Sequence, residues 1–210
     1  RRRPADRGQA RERPGGRQLR MIAEPARAKL NLALRVRARR GDGYHEIETL
    51  FAFVEAGDVV RLAAGEGRFT VTGPFAGALA GENDNLVTRA AARFSEAFGG
   101  GPWEIALEKN LPVASGIGGG SADAAATLRG LARLAGVAPA DPRLSACAEA
   151  LGSDVPACLL GRTALGRGRG DLLEPVAGMP GTPALLVNPG VAVSTAEVFG
   201  RWDGVDRGPI

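Results

Sequence analysis

An α+β fold is predicted by three observations. Apolar residues alternate at a period of two through much of residues 28–71, helical periodicity starts only at Leu86, and a glycine-rich loop joins a strand to an alanine-rich helix between Leu111 and Ala126. The glycine loop thus follows a largely β region. An early βαβ unit with parallel strands would be needed for a dinucleotide-binding sheet.

The elements follow in order. Ala28, Leu30, Leu32, Leu34 and Val36 alternate with polar or small residues, as in a half-buried strand. Gly41-Asp42-Gly43 marks a turn. Ile47, Leu50, Phe51, Phe53 and Val54 form a second extended stretch, and Val59, Val60 and Leu62, then Phe69 and Val71, form two more. Asn85 reads as the N-cap of a helix over residues 86–98, with Leu86, Ala90, Phe94, Ala97 and Phe98 on one face and three glycines, 99–101, at its end. Trp103, Ile105 and Leu107 alternate as a strand that leads into Leu111-Pro112 and the glycine loop.

The next helix spans about 121–135 and stops at Gly136. Asp141-Pro142, a cap followed by proline at the first helical position, opens a helix to about Leu151. Gly152 ends it, and Asp154 heads the short apolar segment 155–160. Residues 161–182 read as loops around one short strand, and 184–187 as a compact strand. Ser194 and Glu197 fit a capping box for a helix through Phe199.

Composition narrows the function classes. At 210 residues and 44% hydrophobic content, the chain can bury one sizeable core or one domain plus part of a second. No run reaches the ~18 apolar residues of a spanning helix, and the first twenty residues lack the apolar segment of a secretory signal. Cys147 and Cys158, the only cysteines, are too few for a disulfide framework or a four-cysteine zinc site, which points to a reducing, cytoplasmic setting. The net charge of +4 is uneven: residues 1–20 hold eight arginines against Asp6 and Glu12, so the remainder carries −2. That arm has almost nothing to bury; it is read as a disordered extension or as upstream coding sequence with Met21 as the true start, a functional basic tail being the alternative. The rest of the chain does not share its basic excess, so no nucleic-acid partner is expected.

Of 27 basic residues only Lys29 and Lys109 are lysines, and the one tyrosine and one histidine, Tyr44 and His45, are adjacent. In so arginine-rich a chain, a lysine suggests a site that needs a compact ammonium. The loop Pro112-Val113-Ala114-Ser115-Gly116-Ile117-Gly118-Gly119-Gly120-Ser121 is the strongest local signal. Its glycines let backbone amides turn inward, and the following helix offers free N–H groups and the positive end of its dipole, which together make a phosphate cradle. Gly120 is followed directly by Ser121, so the Gly-Lys-Ser/Thr of the P-loop is absent.

Residues 111–128 resemble the second motif of the GHMP kinases. Within that class Ala28-Lys29-Leu-Asn31-Leu, Asp42-Gly-Tyr44-His45, Thr49-Leu-Phe51, Leu151-Gly-Ser-Asp154-Val-Pro156 and Pro189-Gly-Val-Ala-Val-Ser194-Thr195 resemble, in order, the family that phosphorylates 4-diphosphocytidyl-2-C-methyl-D-erythritol. The resemblance covers most of residues 21–200. It implies a cytoplasmic ATP- and Mg2+-dependent kinase of the non-mevalonate isoprenoid pathway, monomeric or homodimeric and without a membrane partner. It also implies a ribosomal-protein-S5-like N-terminal domain over 21–172 and an incomplete ferredoxin-like C-terminal domain from 173 to 210.

By position, Asp154 matches the catalytic aspartate and Lys29 its partner lysine. Lys109 and the loop 112–121 match the ATP site, and Asn31, Tyr44, His45, Thr195 and Phe199 match the cytidine-substrate site. The metal ligands are left unassigned. Asp154 as a mere helix cap and Lys29 as a solvated strand residue stand as the alternative readings at this point.

There are departures. Ala122 stands where the family often has a second serine, Ser115 at a position often small and flexible, and nothing after residue 200 resembles the class's third glycine-rich motif. A truncated, weakly active or inactive product is therefore expected. The other functional readings are a GHMP kinase with a different alcohol substrate and a non-catalytic RNA-binding fragment.

Overall fold

The computed structural model describes residues 20–81, 84–191 and 193–210. The basic arm up to residue 19, and the expectations placed on it, lie outside these. Two long strands organise the molecule. β1 (Ile22–Arg39) and β2 (His45–Ala64) form an antiparallel hairpin through the predicted turn, where Arg40 N donates to Tyr44 O at 2.9 Å. The two extended stretches read from the sequence at 47–54 and 59–62 are one strand. They stay continuous because Gly57 lets β1 approach; a Cβ there would sit 2.5 Å from Ala26 O.

Along its other edge β2 pairs in succession with β5 (Ala164–Arg167) and β4 (Trp103–Glu108). The sheet is completed by β3 (Phe69–Thr72), parallel to β4, and β6 (Leu172–Pro175), antiparallel to β5. Residues 161–182 thus contain two strands where the sequence suggests one. At four residues each, these strands are too short to show alternation.

Three register shifts interrupt the β1–β2 pairing, between Arg27 and Lys29, Asn31 and Ala33, and Val36 and Ala38. Each bulge moves the inward-facing phase by one residue. Across the first of them Ala28 and Lys29 are consequently both buried; Leu32 and Leu34, which strict alternation would turn inward, are 45% and 43% exposed.

The helices are α1 (Leu86–Phe98), α2 (Gly119–Ala135), α3 (Pro142–Leu151), α4 (Val155–Leu160) and α5 (Thr195–Gly200). Asn85 caps α1, with Thr88 completing a reciprocal capping box. α2 contacts β1 and β2 as well as α1, α3 and α4, and its alanines let it lie close to the sheet. Leu128 and Leu131 of α2 meet Val60, Leu62, Phe94, Leu107 and Leu144 in the core.

Residues 184–187 are not a strand: Leu185 and Val187 are 87% and 80% exposed, and no described strand pairs with them. Apolar composition alone does not make a strand without an edge to pair with. Ser194 Oγ accepts from Glu197 N at 3.3 Å, one half of the expected capping box. After β6 the described residues form α5 alone, so the expected ferredoxin-like layer is not present among them. No helix of the described residues is long and apolar enough to cross a membrane.

Candidate active site

The loop between β4 and α2 is shaped by its backbone. Ala114, Gly116 and Gly118 take φ of 55°, 74° and 66°. For alanine this costs roughly 1–2 kcal/mol, so the surroundings must enforce it. Left-handed residues alternating along a loop turn amides inward to form an anion-binding concavity. Ser115 Oγ donates to Pro112 O at 2.7 Å and fastens the bend. Gly118 is the N-cap of α2 and offers no side chain to its first N–H groups, which leaves them for a ligand. The helix begins at Gly119, two residues before the start that the sequence suggests, because Gly118 O already accepts from Ala122 N at 2.8 Å.

Lys29 joins this loop to Asp154. Its backbone N–H donates to Ile117 O at 2.9 Å, and its ammonium lies 3.0 Å from Asp154 Oδ2 and donates to Asn31 Oδ1 at 3.0 Å. The ammonium also sits 4.9 Å from the Phe51 ring centroid. Asp154 precedes α4, yet its side chain makes no capping bond. Its side chain is 39% exposed. The structure thus favours the ion-pair geometry over the cap, and Lys29 is buried rather than solvated.

Asn31 is held in turn by Thr49: Asn31 Nδ2 donates to Thr49 Oγ1 at 2.7 Å, and Thr49 Oγ1 donates to Ala33 O at 2.8 Å. Thr49 is fully buried and is not among the site residues that the sequence singles out, although it lies in one of the stretches that carry the family resemblance.

Lys109 lies at the base of the loop. The resemblance matches it to the ATP site; here it is 2% exposed and its ammonium donates to Asp58 Oδ2 at 2.5 Å and Asp123 Oδ2 at 2.8 Å. It lies beneath the loop, where a Cβ on Gly119 would come within 3.2 Å of Nζ. Burial alone would lower the Lys109 pKa, but the two carboxylates outweigh it and raise it. Burial pushes the Asp123 carboxyl up to about 7 against the pull of Lys109. Neither Asp58 nor Asp123 stands out in the sequence. A lone charge between Gly57 and the apolar Val59-Val60 is the available signal for Asp58.

The hairpin end of β1 and β2 carries the other group. The His45 ring lies 5.3 Å from Phe199 and 5.9 Å, edge-on, from Trp202. His45 Nε2 is buried with no hydrogen-bond partner among the described residues. Arg39 Nη2 donates to Gly200 O and Trp202 O at 3.4 and 3.3 Å and ties this segment to β1. Tyr44 is exposed, and its ring is backed by Arg169 at 4.9 Å, itself paired with Asp171 at 2.8 Å. Thr195 is exposed at the start of α5. The structure therefore brings His45 and Phe199 together and adds Trp202, while Tyr44 stacks with Arg169.

Phe51 lies six residue steps along β2 from His45, roughly 20 Å at the strand rise. Near the residues where Phe75 N donates to Lys109 O at 3.1 Å lies a shallow hollow of about 370 Å3 whose lining includes Phe69, Val71, Ala76, Leu79 and Ala80.

The model of the GHMP kinases N terminal domain matches residues 85–162. The chain is 56% identical over 192 residues to the 4-diphosphocytidyl-2-C-methyl-D-erythritol kinase of Rhizorhabdus wittichii, covering 89% of this chain and 66% of the relative. It is 54% identical over 182 residues to that of Parvibaculum lavamentivorans, covering 85% and 62%. The corresponding protein of Sphingopyxis alaskensis is 47% identical over 195 residues, covering 90% and 69%.

A crystal structure of 4-(cytidine 5'-diphospho)-2C-methyl-D-erythritol kinase superposes with a TM-score of 0.63 at 39% identity, over 78% of this chain and 61% of that one. Homoserine kinase from Cytophaga hutchinsonii, with a TM-score of 0.52 at 22% identity over 78% and 53%, shares the fold. The chain thus spans between 62% and 69% of the length of these curated relatives. On this likeness in sequence and fold, the chain belongs to the 4-diphosphocytidyl-2-C-methyl-D-erythritol kinase family of the GHMP kinases.

Proposed function

We propose that this chain transfers the γ-phosphoryl group of ATP to a hydroxyl of 4-diphosphocytidyl-2-C-methyl-D-erythritol, a step of isoprenoid precursor synthesis. One observation carries the reading: Lys29 is bonded through its backbone to the glycine loop and through its ammonium to Asp154, so a phosphate cradle and an exposed carboxylate share one residue. Phosphoryl transfer asks for this arrangement, in which positioning and charge stabilisation do most of the work.

In this reading the amides of 114–121 hold the triphosphate, and the shallow hollow lined by Phe69, Val71 and Leu79 takes the adenine. Asp154 orients the acceptor hydroxyl and takes its proton, while the Lys29 ammonium stabilises charge on the phosphoryl group in flight. Asn31, steadied by Thr49, positions the acceptor. A magnesium ion bound with the nucleotide would neutralise phosphate charge, and Asp154 and Ser121 are the protein groups suited to it. The described residues contain no cluster of three or more acidic, histidine or cysteine side chains that could hold a metal. That composition suits an ion which takes one or two carboxylates and relies on substrate phosphates for the rest.

At the far end, His45 presents a buried nitrogen to the pyrimidine edge, and Tyr44, Phe199 and Thr195 enclose the base. The separation of roughly 20 Å along β2 matches an extended nucleoside diphosphate joined to a short polyol.

The test is ATP-dependent phosphorylation of the cytidine-bearing alcohol beside mevalonate and homoserine, read as ADP release and by mass of the product. Transfer to the cytidine compound alone is expected. Transfer to another alcohol in preference to it, or no binding of ATP, overturns the proposal.

A further inference from the structure

We propose that Asp58, Lys109 and Asp123 form a buried strut that sets the gap between the end of β4 and the first turns of α2, and so holds the phosphate loop in shape. They are positioning residues that never touch the nucleotide. The inference rests on reading the loop as a triphosphate cradle.

The three residues come from three elements. Asp58 lies on β2, Lys109 directly follows β4, and Asp123 is in the second turn of α2. One oxygen of Asp58 accepts from the Lys109 ammonium, and the other accepts from Asn110 N and Leu111 N at 2.5 and 2.7 Å, the first amides of the loop. Lys109 then reaches Asp123 at 2.8 Å. One carboxylate therefore fixes where the chain leaves the sheet, the other holds the helix, and the ammonium is the spacer between them. The backbone of Lys109 is clamped as well, its N–H donating to Thr72 O at 2.7 Å.

Stability alone is a poor account of this cluster. Three ionisable groups are withdrawn from water, and Asp123 Oδ1 has no hydrogen-bond partner among the described residues. Apolar side chains of similar volume often fill such a space at lower cost. The arrangement supplies directional bonds to two loop amides and a defined span, which apolar packing does not. It also accounts for a lysine in so arginine-rich a chain: with Gly119 directly above, the space between the carboxylates admits a compact ammonium and not a planar guanidinium.

Lys109→Met alone would leave two carboxylates facing each other, so the informative variant pairs it with Asp123→Asn. Amide hydrogen exchange of residues 110–118 and the Kd values for ATP and for cytidine diphosphate are the readouts. In the double variant, loop amides should exchange about tenfold faster and ATP should bind about tenfold more weakly, the scale of a small misplacement of binding groups. Cytidine diphosphate affinity should stay within about twofold. Asp123→Asn alone keeps an acceptor for the ammonium and should resemble the wild type.

Lys109→Arg keeps every charge, and so keeps the protein foldable if the double variant is not; it should loosen the same amides by crowding Gly119. Wild-type exchange and ATP affinity in either Lys109 variant would overturn the strut. If the wild-type chain itself fails to bind ATP, the kinase reading falls, and loop exchange still decides the strut.

Discussion

The Lys29 ammonium lies 3.0 Å from the Asp154 carboxylate, although one sits on a bulged strand and the other at the head of a six-residue helix. The bulge between Arg27 and Lys29 turns the lysine inward, and the absence of a capping bond leaves the carboxylate free to meet it. Removing the carboxylate should therefore cost chemistry rather than nucleotide affinity. Asp154→Ala is expected to lower kcat by about 10³-fold, within the range for a positioned acid–base group, and to leave the ATP Kd within about threefold. Single-turnover phosphorylation and calorimetric titration check the two parts. A variant retaining a tenth of wild-type turnover removes Asp154 from the mechanism.

What is legible in the sequence is what local chemistry encodes. The glycines of 116–120, the caps at Asn85 and Asp141 and the alanine face of α2 each announce themselves within a few residues. Pairing across the molecule does not. Alternation through Leu32 and Leu34 predicts an inward face, but register shifts between Arg27 and Lys29 and between Asn31 and Ala33 interrupt the alternation, and bulges arise from the fit of β1 to β2 rather than from either strand alone. Lys109 stands out in the sequence but its partners do not, because Asp58 and Asp123 converge on it only when β2 and α2 pack together. Trp202 joins His45 and Phe199 through a tertiary contact that no spacing signals.

Gly118 separates backbone strain from displacement of the lysine. It holds φ of 66°, and a Cβ there would meet Lys29 Cε at 3.0 Å. Gly116 holds φ of 74°, and a methyl group added there would meet nothing within 4 Å. Both alanine variants should lose roughly 1–2 kcal/mol of stability from the left-handed conformation. Gly118→Ala should in addition lower kcat at least about tenfold, because the buried Lys29 must move away from Asp154. Thermal unfolding and steady-state kinetics on the pair make the comparison. Equal kcat in the two variants would show that Lys29 is not constrained by the loop.

His45 bears on substrate affinity. Its Nε2 is buried without a partner among the described residues, while Phe199 and Trp202 hold the ring. A base that supplies a hydrogen bond there gains on the order of 1.5 kcal/mol, about tenfold in affinity. His45→Ala should raise KM for the cytidine-bearing alcohol about tenfold with kcat nearly unchanged, and leave KM for ATP alone. An unchanged KM for the alcohol counts against the base contact.

Asp123 makes the chain's stability depend on pH in a direction opposite to that of most carboxylates. Burial raises its pKa from the ordinary 3.8 to about 7 in the folded protein. Between those values the folded state keeps a proton that the unfolded state releases. Its contribution to stability is therefore complete below about pH 4 and is lost as pH rises through 7. The span corresponds to at most a few kcal/mol, and each kcal/mol moves the Tm of a chain this size by about 2–4 °C. Asp123→Asn keeps an acceptor for Lys109 and cannot titrate, so it isolates this contribution. The variant should match the wild type near pH 4 and melt several degrees higher at pH 8. A difference in Tm that stays constant between pH 4 and pH 8 would show that Asp123 does not change protonation in that window, and that Lys109 holds it ionised throughout.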